Sequence, residues 1–411
     1  MKIAVIGAGV SGLAAAKCCL EEGHDVVVFE QTGSIGGTWV YTDKIGLDEN
    51  GLPVHSSMYR GLRTNIPKEL MEFDDFHYPE TLKQSYVGQE QVLAYLEDFT
   101  KHFSLGKHIK LHHQVTEIEV APEKRWRIDY RDVRQNAAKE EIFDAVMICN
   151  GHYFKPFLPE MSGLEKFSGT VIHSHSYRSA EPYKNKRVVI VGAGPSGVDI
   201  AKLVSKVAAK VYISFQGQTF GGLDKLVEAK PRISQVNEKS VLFGNSEEVE
   251  VDSIIFCTGY CKEFPFLNKN CEIEIDDGWV MPLFKQIINI NHPTMAIIGL
   301  PNKVCPFPMG EYQSKFFLAY LKGNFKLSKE EMLADMNADM ELKRRAGIKK
   351  KNYHVLGDLQ GYYWDTLAVT AKIKRARPVL QKLYTFHKLV MSPDVSYKIV
   401  NDNDFTYEFI Q

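Results

Sequence analysis

Two stretches of the chain run through the same order of apolar and polar positions. Residues 2–30, KIAVIGAGVSGLAAAKCCLEEGHDVVVFE, pass from an apolar run through a glycine-rich turn into an amphipathic helical pattern, then into a second apolar run. Residues 187–214, RVVIVGAGPSGVDIAKLVSKVAAKVYIS, repeat that order and align without gaps over the turn and helix. Short apolar runs bounded by turn residues predict buried strands, so each copy predicts a strand–helix–strand unit of a parallel sheet. The first glycines, Gly7 and Gly192, lie 185 residues apart, far beyond a solenoid period. Residues 144–153, DAVMICNGHY, and 251–260, VDSIIFCTGY, are apolar runs that each stop at a glycine followed by an aromatic residue. The C-terminal third predicts mostly helix, with a capping-box signature from Ser328 to Glu331.

Both turns carry G-x-G-x-x-G, and each glycine has a physical reason. Gly7 and Gly192 permit the tight turn, Gly9 and Gly194 let the backbone approach a pyrophosphate, and Gly12 and Gly197 let helix pack on strand. The helix N-terminus then offers free N–H groups to the phosphates. The second strands differ. The first ends at Glu30, a carboxylate placed to take a ribose diol. The second ends in Ser214, Phe215 and Gln216, with no acid to repel a 2′-phosphate, so NADP is allowed there. The usual clamping arginine is missing from that spot, and Lys225, Lys230 and Arg232 are the substitutes within reach in sequence.

These patterns predict an α/β chain of two Rossmann-like dinucleotide-binding domains with a helical C-terminal part. Residues 1–155 form the first part of an FAD-binding domain, 156–285 an inserted NADP-binding domain, and 286–411 the second part of the FAD domain. A length of 411 residues fits two such domains. Lys plus Arg (50) nearly cancels Asp plus Glu (51), so no bulk field draws the chain to nucleic acid or an anionic membrane. No apolar run approaches the length of a membrane span, and the strand pattern begins at Lys2 without room for a signal peptide. A cytoplasmic protein is expected, secreted only where a signal peptide has been removed.

Two dinucleotide sites imply electron transfer from a nicotinamide to a flavin. The seven cysteines are scattered and odd in number, which fits free thiols. Cys18 and Cys19 are adjacent on the first helix, and Cys257 and Cys261 have the wrong spacing for a redox pair and read as buried thiols. Disulfide reduction is thereby excluded and oxygen becomes the expected acceptor. His173 and His175 would share one strand face, but no third ligand has suitable spacing, so no metal is expected.

Residues 167–177, FSGTVIHSHSY, fit F-x-G-x-x-x-H-x-x-x-[YF], and with GGTW at 36–39, LRTNIPKELMEF at 62–73 and CTGY at 257–260 the chain resembles the flavin-containing monooxygenases. The resemblance runs through nearly the whole chain and points to an insect branch that includes pyrrolizidine-alkaloid N-oxygenases. The related Baeyer–Villiger enzymes end the signature in Trp followed by Pro or Asp. Tyr177 followed by Arg178 instead favours amine and sulfur oxygenases. The resemblance implies reduction of FAD by NADPH, a C4a-hydroperoxyflavin, and oxygen transfer to a tertiary amine nitrogen or a sulfur. The cofactor carries that reactivity, so no acid–base constellation is required of the protein.

By the same resemblance, Asn65 is the active-site asparagine facing flavin and nicotinamide; its bland alternative is an Asx-turn before Pro67. Gly37, Thr38, Trp39 and Thr64 match flavin-contacting positions, although Trp39 also fits a core role. Val10 and Ser11, inside the first nucleotide motif, and Gln31, after Glu30, are expected to bind the cofactor, and Val115 matches a position whose backbone meets adenine. Pro195, Ser196 and Asp199 would lie along the NADP phosphates, and Glu311 and Gln313 near the cofactors. The signature itself, with His173 as a structural histidine, would buttress a junction. A small amine or sulfide and oxygen are the implied partners, and self-association is compatible with the family.

Two features read either way. Residues 343–351, KRRAGIKKK, are a solvated helix end or a membrane-facing patch, and 361–366, GYYWDT, are core or an aromatic pocket. The same motifs also allow an NADPH oxidase that releases hydrogen peroxide, or a non-enzymatic FAD/NADP redox sensor.

Overall fold

Both repeats form the expected unit in the computed structural model, which describes residues 1–217, 226–390, 392 and 394–410. The first is β1 (Lys2–Ile6), α1 (Val10–Glu21) and β2 (Asp25–Phe29); the second is β3 (Arg187–Val191), α2 (Pro195–Ser205) and β4 (Lys210–Ser214). β1 pairs in parallel with β2 from Lys2–Asp25 to Ile6–Phe29, and β3 with β4 from Arg187–Lys210 to Val191–Ser214. The runs at 144–153 and 251–260 supply strands Ala145–Ile148 and Ser253–Phe256, each parallel to the first strand of its repeat.

The chain divides into two compact units. One comprises Met1–Val40, Arg63–Gly151 and Lys262–Gln411, the other Tyr41–Leu62 and His152–Cys261. In the first, a seven-stranded sheet runs Leu283–Phe284, Ile288–Asn289, Met295–Ile297, Ala145–Ile148, β1, β2, Ile109–Lys110. One core beside that sheet joins Val5 and Val28 to α1 and helix α3 (Pro306–Lys322). Another joins Ile6 and Phe29 to Ile118, Ile128 and Phe143 of a three-stranded antiparallel sheet. In the second unit, the five strands Val227–Lys230, β4, β3, Ser253–Phe256 and Thr170–His173 are all parallel.

Two boundaries differ from a single insertion of 156–285. Residues 41–62 join the second unit, and the chain re-enters the first at Lys262. The return comes early because Cys271, Val280 and Leu283 are buried in one cluster with Ile118 and Trp126. The pattern of α1 also differs from an amphipathic surface helix. All eight residues from Gly12 to Cys19 are buried, because α3 covers the side that would otherwise face solvent. Lys17 is carried into that interior with its ammonium 2.6 Å from Asp75 and 3.0 Å from Glu21. Ion pairing offsets the desolvation that burial costs.

The Ser328 cap forms as expected: its hydroxyl accepts the Glu331 N–H at 3.2 Å, while the Glu331 carboxylate accepts the Ser328 N–H at 2.7 Å. The C-terminal third, expected to be mostly helix, opens with short strands, among them Leu283–Phe284, Ile288–Asn289 and Met295–Ile297. It is helical from Pro306 until it closes on a hairpin of Val395–Ile399 and Phe405–Phe409. The basic run at 343–351 is a helix end and loop with Arg344 and Arg345 on Glu341. In 361–366, Tyr363 and Trp364 are buried and Tyr362 is exposed. All seven cysteines are free; Cys261, expected to be buried, is exposed because it lies on a two-residue strand outside the main sheets. Among the described residues no helix is long and apolar enough to cross a membrane.

Candidate functional site

The two glycine turns are built alike down to single hydrogen bonds. Gly7 donates its N–H to the Phe29 carbonyl and Gly192 to that of Ser214, both at 2.8 Å. Both hold φ near +100°, which side chains rarely adopt, and a Cβ on either would meet the carbonyl of Cys149 or Cys257 within 2.7 Å. A Cβ on Gly12 would sit 1.8 Å from the Gly7 carbonyl oxygen, and one on Gly197 2.0 Å from that of Gly192. Helix and turn therefore touch backbone to backbone in each unit.

A dinucleotide fits the first turn. The Gly9 and Gly37 backbones face each other so closely that a Cβ on Gly37 would lie 3.0 Å from the Gly9 Cα. Gly9 caps α1 without a side-chain hydrogen bond, which leaves first-turn N–H groups directed at an anion. At the strand end the Glu30 carboxylate is oriented by Ala8 N–H at 2.9 Å and by the Thr32 N–H and hydroxyl at 2.8 Å. Oε1 takes both Thr32 bonds, while Oε2 accepts only from Ala8 and keeps a lone pair for a ribose hydroxyl. The strand that contains Val115 starts where His113 N–H meets the Glu30 carbonyl at 2.8 Å, and its register slips between Val115 and Glu117. Backbone groups beside Val115 thus leave the ladder near the ribose acid. Gln31 is half-buried beside Glu30.

Several expected residues have packing roles in the same unit. The Ser11 hydroxyl lies against Gly299 and the Ser11 Cα against Gly310, so that side chain seats α1 on α3 and leaves only its backbone for a ligand. Gln313 accepts the Gly299 N–H at 2.8 Å and donates to the Tyr363 hydroxyl at 2.9 Å. Glu311 accepts from Asp74 N–H at 2.9 Å and Lys315 at 2.7 Å. Thr38, Trp39 and Val10 are half-buried around the first turn.

Asn65 is exposed and its amide makes no hydrogen bond among the described residues. The Asx-turn alternative has no donor, since Pro67 stands where the N–H would be and Lys68 N–H goes to the Ser85 carbonyl at 2.7 Å. Thr64, next to it, is buried and bonded both ways to Val87.

In the second unit Gly194 caps α2 with no atom within 4 Å of where a Cβ would be, and Pro195 occupies the first helical position. Ser196 and Gly197 follow in that open first turn. Asp199 turns elsewhere: its carboxylate accepts the Tyr59 hydroxyl at 2.6 Å, and burial holds it above the usual carboxylate range. That placement removes it from a phosphate it would repel. The Ser214 hydroxyl is buried and donates to the Pro231 carbonyl at 2.9 Å. Lys230 is paired with Glu228 and Glu247, while Arg232 is exposed. Lys225 lies outside the described residues.

The 167–177 signature is a packing device of the second unit. A Cβ on Gly169 would meet the Phe167 ring at 2.6 Å and the Asp252 carbonyl at 2.5 Å, so the glycine lets the edge strand Thr170–His173 dock. His173 closes that strand and His175 sits in the turn after it, so the two do not share a strand face. His173 Nδ1 accepts the His175 N–H at 3.1 Å, and burial drives its pKa down to about 4. Tyr177 is buried edge-on to Tyr59, ring centroids 5.3 Å apart.

Sequence reasoning passed over residues 41–62. Arg178 holds them, donating to the carbonyls of Lys44 at 2.9 Å and Ser56 at 3.3 Å, while Arg60 N–H returns to the Arg178 carbonyl at 2.9 Å. Tyr177-Arg178 was the available signal, legible only once its backbone partners are known.

Known proteins place this geometry. The family model described as flavin-binding monooxygenase-like matches residues 1–223 and 221–399. Flavin-containing monooxygenase FMO GS-OX-like 4 of Arabidopsis thaliana is 37% identical over 392 residues, covering 89% of this chain and 86% of that protein. The structure of S-allyl-L-cysteine S-oxygenase from Allium sativum superposes with a TM-score of 0.87 at 35% identity, over 95% of this chain and 93% of that one. Tmm from Pelagibacter sp. strain HTCC7211 does so with 0.85 at 26% identity, over 95% and 90%. The similar plant proteins do not bear out the insect branch that the sequence suggested, although they do bear out the family. The chain belongs to the flavin-containing monooxygenase family, oxidoreductases that depend on FAD and NADPH.

Proposed function

We propose that the chain oxygenates a soft nucleophilic atom of a small molecule, thioether sulfur foremost and tertiary amine nitrogen second. The observation that carries this reading is Asn65, an exposed amide that makes no hydrogen bond among the described residues, on a loop tied to the unit that holds the first nucleotide motif. Sulfur stands first because the 35%-identical Allium sativum protein is an S-oxygenase. Amine nitrogen stands second because Tyr177 and Arg178 fit both chemistries.

FAD, when bound, takes electrons from NADPH and activates oxygen for transfer. The residues of this chain bind and orient. Gly7, Gly9, Gly37 and the α1 N-terminus take the FAD phosphates, Glu30 the ribose diol, and the backbone at Val115 the adenine. The turn of Gly192, Gly194, Ser196 and Gly197 takes NADPH. The Asn65 amide, which titrates at no accessible pH, donates and accepts at the reacting end without moving a proton. Met1–Val40, Arg63–Gly151 and Lys262–Gln411 are thus the FAD-binding part, and Tyr41–Leu62 with His152–Cys261 the NADP-binding part.

Oxygenated product, peroxide and NADPH consumption, counted together for a dialkyl sulfide and a trialkylamine, test this. Product close to one per NADPH with the sulfide, and a higher kcat/KM than with the amine, is expected. Peroxide equal to NADPH with both compounds would make the chain an oxidase instead.

A further inference from the structure

The loop that bears Asn65 is tied on both sides to one short segment. Arg63 bridges Gly88 in antiparallel register, Thr64 N–H donates to the Val87 carbonyl at 2.9 Å, and Lys68 N–H donates to the Ser85 carbonyl at 2.7 Å. Asn65, Ile66 and Pro67 bow out between those ties. Ser85 has a second task, since its fully buried hydroxyl donates to Glu69 at 2.9 Å and accepts the Tyr397 N–H at 2.7 Å. The same Glu69 oxygen takes the buried Lys68 ammonium. One residue back in the hairpin, the Ser396 hydroxyl donates to the Lys83 carbonyl at 2.6 Å. Leu70, Tyr86, Val395 and Tyr397 lie in one buried cluster, with Ile66 packed against it.

We propose that the C-terminal hairpin, acting through the Ser85 hydroxyl, is a positioning element that fixes the Asn65 loop for oxygen transfer. The hydroxyl spends its one donor on Glu69 and an acceptor site on the hairpin, so its loss leaves a hairpin N–H and a buried carboxylate oxygen short of a partner at once. Among the described residues Asn65 has no hydrogen bond of its own to hold it, so its place depends on these ties. The proposal rests on the reading of Asn65 as the residue that meets the reacting atoms.

The test uses the full-length FAD-loaded enzyme and compares Ser85→Ala, Ser85→Thr and Ser396→Ala, the last at an exposed tie that leaves the interior intact. Amide exchange over residues 63–71 is measured without substrate, and product per NADPH with a dialkyl sulfide. Ser85→Ala is expected to speed exchange there about tenfold and to raise the peroxide share several-fold. Ser396→Ala is expected to shift both the same way by less, and Ser85→Thr to restore both. Unchanged exchange at 63–71 in both alanine variants would overturn the proposal. Faster exchange with unaltered product per NADPH would overturn its catalytic half and, with it, the role given to Asn65, even where the enzyme still oxygenates the sulfide.

Discussion

At the scale of single residues, the glycines of the first turn and Asn65 mark opposite extremes. Gly12 has no room at all, with the Gly7 carbonyl oxygen 1.8 Å from where its Cβ would be. Gly12→Ala therefore costs at least about 3 kcal/mol of stability and releases FAD, read by melting temperature and bound flavin. Asn65 is exposed and makes no hydrogen bond among the described residues. Asn65→Ala should alter stability by less than about 0.5 kcal/mol yet lower product per NADPH roughly tenfold, while NADPH still reduces the flavin. A melting temperature that falls together with the product would return Asn65 to a structural role.

The glycines and Glu30 were legible in the sequence because each answers a local requirement of turn, helix start or strand end. Asp199 and Ser214 were not. The partners that occupy them, Tyr59 and the Pro231 carbonyl, are distant in sequence and meet them only in the folded unit. Ser11 was half legible, since the spacing gives its backbone a role but cannot show α3 against its side chain.

At the scale of elements, local chemistry was again the readable part. The Ser328 cap forms with both reciprocal bonds, and Ser328→Ala is expected to cost about 1 kcal/mol. The loss should appear as faster amide exchange in the first turn of Lys329–Arg345, and protection unchanged there would contradict the cap's energetic role. The closing hairpin escaped the sequence because its two strands, VSYKI and FTYEF, sit in a tail whose other elements are helical. What fixes it is burial of Val395 and Tyr397 among residues more than three hundred positions earlier, such as Tyr86 and Leu70. Similarly, α1 read as amphipathic, and its burial on the side away from the sheet becomes plain only once α3 is packed on it.

At the scale of the whole molecule, stability should respond to acid before most carboxylates titrate. His173 and His387 are both buried, and burial lowers each to about 4, while an unfolded histidine titrates near 6.5. As pH falls below that value the unfolded chain binds protons that the native chain refuses, so stability is lost between about pH 6.5 and 4, on the order of 1–3 kcal/mol per histidine. His175, also lowered by burial, adds in the same direction. Asp74 and Glu141 lie below the usual carboxylate range, with Lys374 and Lys2 respectively as hydrogen-bonding partners against the opposing pull of burial, and lose their contribution only at lower pH. A melting series from pH 7.5 to 4.5 should therefore slope downward, and His387→Gln should flatten it. A flat wild-type series would contradict the buried neutral histidines.

The two-unit plan was visible in the repeat, whereas the assignment of residues 41–62 was not. Their hold on the second unit combines Tyr59, bonded to Asp199, with backbone carbonyls facing Arg178, and a carbonyl has no signature in a sequence. The central claim for the whole molecule is oxygen transfer driven by NADPH, and isotopic oxygen tests it most directly. With NADPH, a dialkyl sulfide and ¹⁸O₂ in ordinary water, the sulfoxide is expected to carry one labelled atom, undiminished by added catalase. A sulfoxide without label, or one that disappears when catalase removes peroxide, would contradict it.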